Sequence, residues 1–354
     1  MASLPQLEAV MTSSTIAPMT RSYGGKRLGA AAGSAALAIL FVALAVELAH
    51  SAVPPGNASL VGDGVISTRD YEQNSSFTAD GRTIYFTKRT LWPAYASVLC
   101  EAHLMNGRWS EPTVLPFSGR EYDSDPFVTA DGSRLYFASR RPVEGREHRD
   151  RDIWYVDRSA SGWGTPQRVP APVNSDADEA YPVIVKDGSL YFTSSPRDST
   201  AQQVDTYRAQ LMGDHFAPPV ELPGDSDRVY GRLQAYVSPD EKFMVFVSWH
   251  DDDTKTEAGI YSPGDLYVSE RVNGIWQRGR HLPAPINSAA AERAPMVSAD
   301  GRTLYFTSER GFATAHPQRA ATYGELEMHL HESRNGLGDI YQVPIELLGL
   351  GGGK

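Results

Sequence analysis

Apolar and polar positions alternate along most of the chain in short runs, each broken by Asp, Asn, Gly or Pro. Alternation with period two is the pattern of half-buried strands, and the breakers mark turns between them. One unit recurs. It reads Ser76-Phe77-Thr78-Ala79-Asp80-Gly81-Arg82-Thr83-Ile84-Tyr85-Phe86-Thr87, and again from Phe127 through Asp131-Gly132 to Leu135-Tyr136-Phe137. It returns one residue shorter from Val183 through Asp187-Gly188 to Leu190-Tyr191-Phe192. Two further copies run from Val237 to Phe246 and from Met296 through Asp300-Gly301 to Leu304-Tyr305-Phe306. The turn aspartates lie 51, 56, 53 and 60 residues apart, a period that points to a repeat architecture.

Each copy predicts strand, turn, strand. Asp-Gly suits the hairpin because glycine takes positive φ without a Cβ clash. The fourth copy has Glu241 in place of that glycine, so a strained turn or another turn type is expected there. A third strand follows at Asp152-Ile153-Trp154-Tyr155-Val156, Asp205-Thr206-Tyr207, Asp265-Leu266-Tyr267-Val268 and Asp339-Ile340-Tyr341, with a looser Val98-Leu99-Cys100 in the first unit. A fourth is expected at the aromatic after the next turn: Trp109, Trp163, Phe216 and Trp276. Four antiparallel strands repeated radially make a β-propeller blade. The expected fold is therefore all-β, a single propeller of four-stranded antiparallel blades. Five blades is the simplest count, and six would require another blade where no gap between repeats is long enough. The fifth unit ends without a fourth strand. Residues from about Leu60 to Ile66 have strand character and belong to no complete blade, so this N-terminal strand is expected to close the ring and remove its open edges.

The one long apolar run, residues 30–48, stands apart from this alternation. Arg21, Lys26 and Arg27 precede it and Ala49-His50-Ser51 follows, the order of a secretory signal with its cleavage site. The same length just spans a bilayer, so an uncleaved anchor is the second reading. Residues 1–52 are thus expected to form a leader and residues 53–354 the propeller. Either reading places the propeller outside the cytoplasm, periplasmic or secreted. Membrane contact is expected only through the apolar run, if it stays uncleaved.

Composition narrows the possibilities. The 354 residues are 41% hydrophobic, enough for a sizeable core, which excludes general disorder. A single cysteine excludes an intramolecular disulfide framework and a thiolate metal cluster. A formal net charge of −10 argues against nucleic acid as a partner, since sequence-independent binding needs a basic face.

The string Ser-x-Asp-Gly-x-x-Leu-Tyr-Phe-x-Ser stands at Ser298 to Ser308, beside Asp339-Ile340-Tyr341, Gly162-Trp163 and Pro172-Val173-Asn174-Ser175. Together these resemble the WD-like β-propeller repeats typified by the C-terminal domain of TolB, over about residues 55–345. The resemblance implies a propeller scaffold, and in TolB-like relatives a periplasmic, six-bladed one that binds protein partners. This chain departs from that pattern with five repeats and no recognisable TolB N-terminal domain. The Asp-boxes of sialidases carry a residue between Asp and Gly, whereas here the two are adjacent.

In a propeller the first strand of each blade lines the central channel. Eight residues before each turn aspartate stand Glu72, Asp123, Glu179, Arg232 and Glu292, equivalent positions expected to ring the channel mouth. Four carboxylates and one guanidinium so placed suggest a polar ligand site or a divalent cation site. They equally suit acids that accept backbone N–H groups at a strand start. Long loops are expected on the same face: residues 140–151, residues 249–264 with His250-Asp251-Asp252-Asp253, and residues 309–338 with His316, Glu327, His329, His331 and Glu332. On a strand, His329 and His331 would share one side and make a candidate metal pair. Beyond such a cation no cofactor is expected. No nucleophile elbow, His-Glu-x-x-His motif or phosphate loop occurs, and Cys100 reads as a small buried hydrophobe. The leading expectation is an exported, non-enzymatic module that binds a protein or glycan partner through its loop-rich face. A glycoside hydrolase or polysaccharide lyase on the same scaffold is one alternative, and a structural cation-binding module is another.

Overall fold

The repeated turn is built by its own side chains. Thr78 Oγ1 donates to Asp80 Oδ1 at 2.6 Å and accepts the Thr83 N–H at 3.1 Å, while Asp80 accepts the Arg82 N–H at 3.0 Å. The same pattern recurs at Thr129 with Asp131 and at Ser298 with Asp300. Gly81, Gly132, Gly188 and Gly301 take positive φ, and Glu241 takes it too at 54°. The turn type therefore survives the substitution, at the cost of strain. Glu241 is held in place by Arg208 Nε at 2.8 Å, Arg271 at 3.3 Å and the Tyr191 hydroxyl.

The computed structural model describes residues 57–90, 96–143, 150–195, 204–222, 231–248, 264–311 and 322–351, all within the unit Leu48–Lys354. The apolar run 30–48, the His250-to-Asp253 stretch and His316 lie outside the described residues. Among the described residues no helix is long and apolar enough to cross a membrane.

Five antiparallel sheets form a five-bladed β-propeller. The three inner strands of blade 1 are Tyr71–Phe77, Thr83–Arg89 and Ser97–Met105, and those of blade 2 are Asp123–Val128, Arg134–Ser139 and Asp152–Ser159. Blade 3 has Asp178–Ile184, Leu190–Ser195 and Asp205–Ala209; blade 4 has Leu233–Val237, Phe243–Ser248 and Asp265–Val272. Blade 5 has Glu292–Val297, Thr303–Ser308 and Asp339–Pro344, and Ser59–Leu60 pairs with its third strand through Ser59↔Gln342 and Leu60↔Tyr341. The ring closes with the N-terminal strand, as the orphan segment suggested.

The outer strands differ from expectation. Arg108–Trp109, Gly162–Trp163 and Ile275–Trp276 only extend a hairpin from the end of the third strand. The outer edge pairs a few residues later, through Thr113–Val114, Gln167–Arg168 and Arg280–His281. In blade 3, Phe216 sits in the small hairpin of Leu211–Met212 with His215–Phe216, and Val220–Glu221 forms the edge.

The Leu-Tyr-Phe motif explains the core. Because successive strand residues face opposite sides of a sheet, Leu135 and Phe137 pack toward blade 1 while Tyr136 packs toward blade 3. The same division repeats around the ring and produces five hydrophobic clusters, one between each pair of neighbouring blades. The cluster between blades 5 and 1 also takes in Val61 and Ile66, so the closing segment is fastened by burial as well as by pairing.

The Pro-x-Asn-Ser motif braces the crossovers. Asn174 Oδ1 accepts the Ile153 N–H at 2.7 Å and its Nδ2 donates to the carbonyls of Ile153 and Val169. Asn287 does the same with Leu266 and Leu282. Ser67 takes this place beside Ile340, accepting its N–H at 3.1 Å and donating to its carbonyl.

Candidate ligand site at the channel mouth

The ring residues sit where the repeat places them, at the start of each innermost strand, but their side chains turn into the blades. Glu72, Asp123, Glu179, Arg232 and Glu292 are all buried. Glu72 accepts from the Thr68 N–H and hydroxyl, Glu179 from those of Ser175 and Glu292 from those of Ser288. Asp123 accepts from Ser118 and Ser139, and Arg232 pairs with Asp205 from the preceding blade. These contacts fasten strand starts. None of the five lines the channel-mouth cavity described below.

Cations back three of the acids: Lys88 lies 3.0 Å from Glu72, Arg141 2.7 Å from Asp123 and Arg310 3.0 Å from Glu292. Glu179 has no such ion pair among the described residues. Burial first, and the Asp152 charge as a lesser cause, push its carboxyl up to about 7.

Two residues further on, every innermost strand contains a residue in the left-handed region: Asn74, Asp125, Tyr181, Gln234 and Ala294, with φ between 49° and 58°. The register shifts at the same place in the four other blades as in blade 1, between Gln73 and Ser76 there. This bulge brings out residues that plain alternation hides. It also leaves a backbone N–H in need of an acceptor. Asn74, Asp125 and Gln234 donate theirs to a threonine hydroxyl on the preceding blade: Thr307 at 3.2 Å, Thr87 at 3.1 Å and Thr193 at 3.0 Å. Blades 2 and 4 carry Ala138 and Val247 at that position. There the ring supplies the acceptor itself, with Asp125 taking the Tyr181 N–H and Gln234 Oε1 taking the Ala294 N–H at 2.9 Å.

The bulges surround a cavity of about 520 Å³. Its lining includes Gln73, Ser124, Asp125, Tyr181, Gln234 and Arg293 from the innermost strands. Arg89, Tyr122, Arg140 and Arg151 come from the adjoining strand ends and loops. Among the described residues four guanidinium groups thus line the cavity with one carboxylate, in a chain whose net charge is −10. Arg89 lies over the Tyr71 ring at 3.8 Å and Arg140 over Tyr122 at 5.0 Å. Arg151 is 3.9 Å from Asp125 and 3.6 Å from Asp178, and Arg293 is 3.6 Å from Glu309. Asp178 and Glu309 stand outside the lining. The Nε atoms of Arg151 and Arg293 are buried and make no hydrogen bond among the described residues.

Asp125 is the hub of this floor. It is 3% exposed and accepts from Ser124 at 2.9 Å, from the Asn74 side-chain amide and from the Tyr181 N–H. Burial raises its carboxyl above the usual range, with Arg151 opposing. Burial also raises the Tyr181 phenol, which therefore stays protonated at neutral pH, and raises Tyr71 to about 12.

Away from the channel, residues Tyr323–Leu330 form a helix with a Thr322–Glu325 capping box. His329 is on that helix and His331 is its C-cap, so the expected strand is absent. Residues two apart on a helix point to opposite sides, which separates the two imidazoles. Among the described residues no group of three or more His, Cys, Asp or Glu is placed to hold a metal ion. Cys100 is buried, and burial pushes its thiol up to about 11, as befits a core side chain.

Fold and site together define a five-bladed propeller with an arginine-lined channel mouth. No family model matches the chain, and no curated relative matches it. Similar solved structures include the α-L-arabinofuranosidase PaAbf62A of Podospora anserina in complex with cellotriose, at 13% identity and TM-score 0.45, covering 82% of this chain and 96% of that one. A putative oxidoreductase (glucose dehydrogenase) of Thermus thermophilus is similar at 14% identity and TM-score 0.45, covering 81% and 99% of the two chains. A gluconolactonase of Xanthomonas campestris is similar at 15% identity and TM-score 0.42, covering 73% and 76%.

Proposed function

We propose that this chain is an exported, WD-like (TolB-type) propeller that acts as a binding module and captures a small anionic ligand in the mouth of its channel. One observation carries the reading: among the described residues, four arginines line a cavity together with a single carboxylate. Planar guanidinium groups pair bidentately with carboxylates and similar oxyanions, and a volume of some 300–1,000 Å³ is usual for small-molecule sites. Export rests on the apolar run 30–48 and its basic flank. Hydrolysis of a glycoside needs two carboxylates across a cleft, whereas among the described residues Asp125 is the one carboxylate lining this cavity. A divalent cation would be repelled by the four guanidinium groups.

Arg140 and Arg293 are the arginines to remove, because neither pairs with the Asp125 hub. Each charged hydrogen bond contributes about 1.5–3 kcal/mol, so Arg140→Met and Arg293→Met should each weaken anion binding about 10-fold or more. Calorimetric titration with glucuronate, inorganic phosphate and acetate reads this directly. Binding of none of these anions by the wild-type chain, or equal binding by the double variant, would sink the reading.

A further inference from the structure

Beneath the arginines the channel narrows into a second space of about 40 Å³, which shares Asp125, Tyr181 and Gln234 with the cavity above. Besides these three its wall is apolar, apart from Asn74 and Ser75. Both side chains are more than nine-tenths buried, at 5% and 6% exposure, and among the described residues Asn74 Oδ1 and Ser75 Oγ have no hydrogen-bond partner. The Asn74 amide nitrogen contacts Asp125, which leaves its oxygen as an acceptor. An unmatched buried polar atom costs about 1–3 kcal/mol, so a retained pair calls for a ligand group that answers it. An ammonium is disfavoured beneath four guanidinium groups. A neutral hydroxyl satisfies Asn74 Oδ1 by donating and Ser75 Oγ by donating or accepting. The space is close to the volume of one water, so it admits one such group and no second ring.

We infer that the ligand is a sugar acid: its carboxylate sits among the arginines of the wide cavity, and one of its hydroxyls reaches down to Asn74 and Ser75. The inference rests on the anion-binding reading and narrows it from any small anion to a hydroxylated carboxylate. Tyr122 and Tyr181 offer aromatic surface to the C–H face of a sugar ring in the space between.

The test compares glucuronate, cyclohexanecarboxylate and glucose by calorimetric titration of the wild-type chain and of Ser75→Ala. Glucuronate should bind at least 10-fold more tightly than either of the others. Ser75→Ala should weaken glucuronate about 5- to 10-fold and leave cyclohexanecarboxylate unchanged. Without ligand its melting temperature should be no lower than that of the wild type, since the change removes an unsatisfied group. A purely structural role for Ser75 would instead lower the melting temperature and affect both carboxylates alike. Equal binding of the two carboxylates, or undiminished glucuronate binding by Ser75→Ala, overturns the sugar-acid assignment and leaves the anion site standing. Failure of both carboxylates to bind removes the anion site and the assignment with it.

Discussion

Asp125→Ala should lower the stability of the propeller by about 3 kcal/mol, the largest effect we expect of any change in the channel. The carboxylate answers the Tyr181 N–H, which in blade 3 has no threonine across the interface, and it also answers the Asn74 amide and Ser124. Losing it leaves at least two buried donors unmatched, at about 1–3 kcal/mol each. Alanine also tolerates the left-handed backbone at φ 58° poorly, which costs about 1 kcal/mol more. Relaxation and water entry recover part of the sum. Asp125→Asn keeps an acceptor for the Tyr181 N–H, is at home in the left-handed region and avoids burying a charge. It should lie within about 1 kcal/mol of the wild type. Urea unfolding of the three proteins separates these outcomes. An alanine variant as stable as the asparagine one would show that the hub does not hold blades 2 and 3 together.

Stability should fall as pH rises from about 4.5 to 8. Burial pushes the carboxyls of Glu179 and Asp339 up to about 7 each, from 4.5 and 3.8. Between the ordinary and the raised value the folded chain holds a proton that the unfolded chain has lost. The folded state then binds more protons, and the slope of stability with pH is negative. Below about 4 neither group penalises folding, and by pH 8 both exert their full penalty, with upper bounds of about 3 kcal/mol for Glu179 and about 4 kcal/mol for Asp339. The turn aspartates act in the opposite sense. Hydrogen bonds from the turn hold Asp131 down at about 2 and Asp80 and Asp300 also below the usual range, so their contribution is lost only as pH drops beneath 4. The stability optimum should therefore lie near pH 4.5, with a long decline on the alkaline side. Glu179→Gln keeps the partners of the protonated acid, with its amide facing the Ser175 and Ser194 oxygens. It should raise stability at pH 8 by about 2 kcal/mol and do little at pH 4.5. A melting temperature that climbs steadily from pH 5 to 8 would show that the two acids are not held as described.

Much of this was legible in the chain because the repeat is simple. The Asp-Gly turns, the Leu-Tyr-Phe alternation and the orphan strand before Ser67 specify blades, their interfaces and their closure. The channel mouth as the place of the proposed site was legible too, since the innermost strands start there. Its residues were not. Counting back from the turn aspartates lands on Glu72 and its equivalents, whose side chains the bulge two residues later turns away from the lumen. The bulge leaves a trace in the sequence: proline follows the left-handed residue in three blades, as Pro126, Pro182 and Pro295. Proline inside a strand is confined to edges and bulges, because it cannot donate to the ladder. Only two of the four arginines follow the period. Arg89 and Arg140 stand at equivalent positions of blades 1 and 2, each over a tyrosine of its own blade, whereas Arg151 and Arg293 have no arginine at the matching positions and only the fold gathers the four.

The structure of the protein crystallised with glucuronate is the most direct test of an arginine-lined sugar-acid site. We expect the sugar carboxylate among Arg140, Arg151 and Arg293, with one hydroxyl directed toward Ser75. A channel mouth that stays empty at saturating glucuronate, or a sugar bound only on the outer edges of the blades, would contradict it.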